Sequence, residues 1–204
     1  VINRRKDKLL LKSKGCGFIT NVLIVYGTWY GATSDTSEKI AEILRKRSMN
    51  VRLADLGKES VEDISEYDLV IVGSGVRMNR WNGDAEKFID KNKGKLASKK
   101  VAIFVSAGGA SIDAKRGDVE KKDDAYRRLL VEKAEKYSLD PISMGLFGGI
   151  FDYNKMNWLT RKLLGRIKKS LREFKIEEKD GVFDTRDREE IRRWAEKLAD
   201  KVEI

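Results

Sequence analysis

Three short runs, NVLIVYG (21–27), DLVIVGS (68–74) and KVAIFVS (100–106), are apolar at almost every position and rich in β-branched residues. A strand with one wet face alternates in polarity. A strand without alternation is buried on both faces and needs a covering layer on each. The stretches between the runs supply those layers. SDTSEKIAEILRKR places Ile40, Ile43 and Leu44 on one helical side, with Ser34 or Asp35 as N-cap. VRLADL (51–56) reads as a strand, 58–66 as a weak helix, DAEKFIDKNKGKL (84–96) as a short helix and DAYRRLLVEKAEKY (124–137) as another. PISMGLFGG (141–149) adds a fifth strand, and 107–123 reads as a polar, glycine-containing loop. Last comes the clearest helix, with Ile191, Trp194, Ala195, Leu198 and Val202 at 3–4 residue spacing behind Asp184 or Thr185 as cap. Strands alternating with helices imply an α/β sandwich on a parallel sheet, because right-handed crossovers put helices on both faces.

With 204 residues, one proline (Pro141) and no Gly/Ser-rich linker, the chain reads as one domain over 21–204 behind a basic N-terminal extension, 1–20. No apolar run approaches the ~20 residues of a membrane span, and the stretch LLL is too short for a secretory leader. The expected location is cytoplasmic, with peripheral attachment at the inner face of a membrane as the variant. Histidine is absent and Cys16 is the single cysteine. Ser–His and Cys–His catalysis, His-ligated metals, thiolate-clustered metals and internal disulfides are thereby excluded. No catalytic side chain and no metal ligand is assigned, so redox work would fall to an organic cofactor.

The net charge of +10 is unevenly placed: residues 1–20 carry +5 and residues 155–175 carry +7, leaving −2 for everything else. Partner arguments therefore attach to those two segments. In FDYNKMNWLTRKLLGRIKKSLREFK (151–175), Leu159, Leu163, Leu164, Ile167, Leu171 and Phe174 form an apolar stripe at helical spacing, bent near Gly165, with basic residues between. Three readings compete: a packed helix with a solvated face, a nucleic-acid surface, or a surface for an anionic membrane or acidic redox partner, with Trp158 and the stripe facing inward. No stacking platform accompanies the charge, which sets nucleic acid aside. Each basic residue near an anionic surface contributes roughly 1 kcal/mol before screening.

Ligands in open α/β sheets bind beyond the carboxyl ends of the strands. Loops 27–33, 74–83 and 106–112 leave those ends, and all three contain glycine. The first, GTWYGATS, lacks the lysine of a triphosphate loop and the third glycine of a dinucleotide fingerprint. What it has is Thr28, Gly31 and Thr33 ahead of a helix, a set of neutral donors suited to one phosphate. An ordinary capped strand-to-helix turn is the alternative.

Thr28-Trp29-Tyr30-Gly31-Ala32-Thr33 after a first buried strand resembles the FMN-phosphate loop of flavodoxins, except that Tyr30 stands where many carry Thr or Ser. The resemblance implies a flavodoxin-like three-layer sandwich with sheet order 2-1-3-4-5. GSGVRMN (73–79), SAGGA (106–110), MGLFGGIFDYNKMNW (144–158) and FDTRDREEIRRWAEKLA (183–199) follow in order. Together they are similar to the flavodoxin-fold, menaquinone-dependent protoporphyrinogen dehydrogenases, which also carry a basic amphipathic stretch before the last helix. This implies FMN held by Thr28, Trp29, Tyr30, Gly31, Ala32 and Thr33, bordered by Ser74, Gly75, Val76, Arg77 and Met78 and by Ser106, Ala107, Gly108 and Gly109. Trp29, Met78, Trp81 and Tyr153 are its candidates to flank the ring. It implies, too, an oxidoreductase taking electrons from a porphyrinogen and passing them to a quinone, with 151–175 forming the access surface. An electron carrier serving a redox protein partner is the alternative. Arg77 beside a flavin would raise its potential by favouring the reduced, anionic form; the alternative is Arg77 turned to solvent or to Asp84.

Overall fold

The computed structural model describes residues 19–202 except 157, 164 and 175, so residues 1–18, with Cys16, lie outside the described residues. Strands β1 (Asn21–Gly27), β2 (Asn50–Asp55), β3 (Leu69–Arg77), β5 (Lys100–Ser106) and β6 (Pro141–Phe147) form a parallel sheet in the order β2-β1-β3-β5-β6. Among its five main strands that is second, first, third, fourth, fifth. A two-residue strand β4 (Arg80–Trp81) folds back antiparallel onto β3. Register aligns Gly27 with Ser74 and Gly75 with Ser106, so three loops leave the sheet at one level.

Strand alternation sorts the core into two faces. Val22, Ile24, Leu69, Ile71 and Phe104 point toward helices α1 (Ala32–Lys46) and, near the C-terminus, α8 (Arg188–Val202). Leu23, Val25, Val70, Val72 and Ile103 point the other way, toward α2 (Gly83–Leu96) and α4 (Val119–Tyr126). A π turn, Arg127–Val131, links α4 to the short helix α5 (Glu132–Lys136). Each fully buried aliphatic side chain contributes about 1.5–3 kcal/mol.

Several sequence expectations are corrected. No helix forms at 58–66, although Val61 and Ile64, three residues apart, are both buried. There the Asp63 carboxylate accepts from Ser65 N–H and O–H, and Lys99 donates to the carbonyls of Ser65 and Tyr67. Such local bonds compete with a helix ladder. The expected loop 107–123 contains helix α3 (Gly108–Lys115) and the start of α4. Neither Ser34 nor Asp35 caps α1, whose N-cap is Gly31, and α8 is capped by Asp187, which accepts from the N–H groups of Glu189 and Glu190.

A small antiparallel sheet, β7 (Ile150–Asp152), β9 (Val182–Asp184) and β8 (Glu178–Lys179), lies outside the main one. The basic segment becomes α6 (Trp158–Leu163) and α7 (Gly165–Glu173). Leu171 is buried and Ile167 and Phe174 pack against Phe151, Tyr153, Met156 and Phe183, forming a third cluster. Leu159, Leu163 and Leu164 belong to the expected stripe but fall outside the described side chains. Trp158 is 74% exposed rather than turned inward; Met156 takes the inward position instead.

Candidate functional site

At the carboxyl end of the sheet, the first loop turns sharply. Gly31 has φ +93°, a conformation costly for a residue with a Cβ, and its N–H donates to Thr28 Oγ1 at 3.1 Å. That turn delivers the start of α1 with no side-chain cap, so its first-turn N–H groups, which have no intrahelical partner, stay available to an anion. Ser34 donates its hydroxyl to the Tyr26 phenol at 3.0 Å, and Asp35 faces Arg186 at 3.2 Å.

Beside this turn opens a cavity of about 550 Å³. Of the residues expected at the site, Thr28, Trp29, Tyr30, Ala32, Thr33, Gly75, Val76, Arg77, Met78, Ser106, Ala107, Gly108 and Gly109 line it. Gly31 shapes the loop without lining the cavity. Ser74 is buried behind the wall, where its hydroxyl accepts from Asn82 N–H at 2.9 Å. Trp81 is buried behind it as well, its indole N–H donating to the Leu129 carbonyl at 2.7 Å. Tyr153 does not line the cavity: it follows β7 in a 3-10 turn, and its ring packs edge-on against Phe183, 5.7 Å between centroids.

The bare faces of Gly75 and Gly108 are used by protein atoms, while those of Gly31 and Gly109 are open. A Cβ on Gly75 would lie 3.1 Å from Thr33 Oγ1 and 3.2 Å from Trp29 Cδ1, so this glycine lets the first loop close over the second. A Cβ on Gly108 would meet the Phe151 ring at 2.5 Å. Asn82, which the sequence did not single out, ties loops together: its N–H groups reach Ser74, Gly75 and Thr28 while its carboxamide oxygen caps α2. Arg77 does not pair with Asp84, which takes Lys87 instead; its guanidinium lies 5.6 Å over the Trp29 ring.

A family model for the flavodoxin domain matches residues 23–176, three-quarters of the chain. This chain belongs to the flavodoxin-domain family. Two curated relatives, from Bradyrhizobium diazoefficiens and Afipia carboxidovorans, bear the name NAD(P)H dehydrogenase (quinone). Each is 29% identical over 112 residues, covering 45% of this chain and 55% of theirs. The match thus spans about half the length of those relatives. Among solved structures, a flavodoxin from the domain Archaea is 17% identical with TM-score 0.52, covering 91% of this chain and all (100%) of that one. A short-chain flavodoxin associated with a non-canonical PDU bacterial microcompartment is 14% identical with TM-score 0.53, covering 90% and 99%. At such identities these structures carry the fold.

Two polar groups of this flavodoxin domain stand out. Among the described residues, the buried hydroxyls of Thr33 and Ser106 have no hydrogen-bond partner, and both residues line the cavity. A buried unsatisfied hydroxyl costs about 1–3 kcal/mol, which a ligand polar atom placed there would recover. The far wall, missed from sequence, comes from α3, α4 and the π turn: Asp113, Lys121, Asp124 and Arg128 bring charge of both signs, Ala125 and Leu129 apolar surface. Arg128 and Arg127, donating to Asp124, hold its carboxyl below the usual range. Ile150, Phe151, Met156 and Ile167 supply the apolar remainder. Only the double glycine of α3 hinted at this wall; Asp113 and Lys121 fell in the expected polar loop and Asp124 and Arg128 in the helix read over 124–137.

Proposed function

We propose that this flavodoxin domain holds FMN in the cavity and acts as an oxidoreductase passing electrons to a quinone. The observation that carries it is the pair of buried, unpartnered hydroxyls, Thr33 at the start of α1, which follows β1, and Ser106 at the end of β5, the first at an uncapped helix N-terminus; β1 and β5 are the strands flanking β3. In this reading Thr28, Tyr30, Gly31, Ala32 and Thr33 hold the phosphate through neutral donors, which suits a loop with no lysine. Gly75, Val76, Arg77, Met78, Ser106, Ala107, Gly108 and Gly109 border the ring. Bound FMN supplies reversible electron transfer, for which the cavity lining offers no thiol or metal site of its own. The protein's part is binding, orientation and exclusion of water, with Trp29 and Arg77 stacked at one side. The apolar surface of Ile150, Phe151, Met156 and Ile167 suits a quinone, the acceptor in the name of the two bacterial relatives.

A porphyrinogen donor belongs to the same reading, its acidic groups drawn by the basic residues of 151–175. So does attachment of that segment to an anionic membrane surface, although Lys168 and Arg172 are both taken by Glu178 at 2.8 Å. No described helix is long and apolar enough to cross a membrane. The carrier reading draws on the 45% exposure of Trp29 and 77% exposure of Met78, apolar surface suited to a docked redox protein.

The deciding experiment loads the protein with FMN and offers NADH, NADPH or protoporphyrinogen anaerobically, then a menaquinone analogue. Bleaching of the flavin by a small donor and its return with quinone support the enzyme. A flavin bleached only by a reduced protein partner supports the carrier. Failure to retain FMN at all removes both. Co-sedimentation with anionic liposomes at low salt tests the membrane part, which no binding would eliminate.

A further inference from the structure

Arg186 lies in the charged run FDTRDREE, yet its side chain is only 4% exposed. Its Nε and Nη2 donate to both oxygens of Asp184, at 2.8 and 2.7 Å. The same guanidinium reaches the start of α1: Nη1 donates to the Ala32 carbonyl at 3.1 Å and Nη2 to Asp35 at 3.2 Å. Its neighbour Thr185 fastens the same point to two other cavity walls. Thr185 exchanges hydrogen bonds with Gly149, which lines the cavity, and its carbonyl accepts from Ser111 of α3 at 2.9 Å.

Asp35 sits in the first turn of α1, the turn that has no side-chain cap and that holds the buried, unpartnered Thr33 hydroxyl. An acidic side chain there stabilises the helix by itself but competes with a bound anion for the same positive end. We propose that Arg186 is the positioning residue of the phosphate cradle: it pins the first turn through Ala32 and takes up the Asp35 carboxylate so that this helix end accepts a phosphate. The proposal rests on the reading that FMN occupies the cavity with its phosphate at α1. It assigns no contact between Arg186 and the ligand. The guanidinium acts from behind the loop, which leaves the direct donors neutral.

The test separates the phosphate from the rest of the ligand by titrating FMN and riboflavin in parallel, following quenching of flavin fluorescence. Arg186→Gln should raise the Kd for FMN about tenfold and shift that for riboflavin less than about twofold. Removing the buried guanidinium takes the two closest charged donors from Asp184 and leaves it the exposed Arg188 at 3.6 Å and one main-chain N–H, so Asp184→Asn/Arg186→Gln is the companion variant that avoids a poorly paired carboxylate. In that companion, adding Asp35→Asn should restore most of the FMN affinity. Equal weakening of FMN and riboflavin in the folded companion variant would overturn the proposal, as would a triple variant no tighter than the double. Wild-type protein that binds riboflavin as tightly as FMN would overturn it too, while leaving a flavin site in place. Wild-type protein binding neither would instead remove the FMN reading itself, and the proposal with it.

Discussion

The buried indole N–H of Trp81 donates to the main-chain carbonyl of Leu129 at 2.7 Å, tying the hairpin after β3 to the π turn in the far cavity wall. A π turn shifts the helical bonding pattern by one residue, so side-chain donors matter at its carbonyls. Trp81→Phe keeps an aromatic ring but removes the donor, leaving a buried carbonyl unpaired at about 1–3 kcal/mol. The melting temperature of the ligand-free protein should fall by roughly 2–10 °C. An unchanged melting temperature would show that water or a rearranged turn satisfies Leu129 without the indole.

Two glycines at the site should respond differently to alanine. Gly31→Ala meets no atom within 4 Å, so its cost is that of the positive φ alone, about 1 kcal/mol. Gly108→Ala drives a methyl into the Phe151 ring, and overpacking of that kind costs about 1–3 kcal/mol. Urea unfolding should rank Gly108→Ala as the more destabilised. The reverse order would mean that Phe151 moves aside freely and is not part of a packed wall.

How much of this was legible in the residues depended on whether a pattern had one physical cause. The doubly buried strands had one, and β1, β3 and β5 lie where their apolar runs are. Positions 58–66 had two: Val61 and Ile64 are spaced as on a helix, but the Asp63 carboxylate accepts the Ser65 N–H and hydroxyl in a local turn instead. The small sheet left one readable trace, Asp180-Gly181, whose φ values of +51° and +78° make the tight turn between β8 and β9. Tyr153 was misplaced because an aromatic near a loop end looks the same whether it faces a ligand or Phe183. Arg186 and Arg128 were invisible for a plainer reason. Each sits in a charged stretch, and only the fold shows which cation of the stretch is turned inward or toward the cavity.

Arg77 now has a defined place, in the cavity lining and 5.6 Å over Trp29, which makes its electrostatic role testable once FMN is bound. A cation there favours the reduced, anionic flavin. Arg77→Ala should lower the two-electron midpoint potential by about 30 mV, equivalent to 1.4 kcal/mol, with Arg77→Lys losing less. Because Arg77 is exposed, salt should shrink the difference between wild type and variant. Identical potentials for wild type and Arg77→Ala would assign Arg77 to shielding Trp29 alone.

The Asp184–Arg186 pair also predicts a pH dependence of stability. Burial works to raise the Asp184 carboxyl, but the donors of Arg186 outweigh it and hold the group below its ordinary value of 3.8. A carboxyl held low in the fold binds protons better when unfolded, so its stabilisation is complete above that ordinary value and is lost as pH falls through the folded one. Asp184 is 35% exposed, which screens the pair and brings its contribution to about 1–3 kcal/mol, below the range for a fully buried pair. Urea unfolding of wild type and Arg186→Gln from pH 7 to pH 3 should therefore show the largest gap at neutral pH, narrowing in acid below about pH 4. In the variant, Arg188 at 3.6 Å and the main-chain N–H of residue 186 still favour the ionised Asp184 against burial, so the pH dependence of its stability should flatten. A gap that stays constant down to pH 3 would mean that Arg186 stabilises the fold by packing and its bond to Ala32, not through its charge.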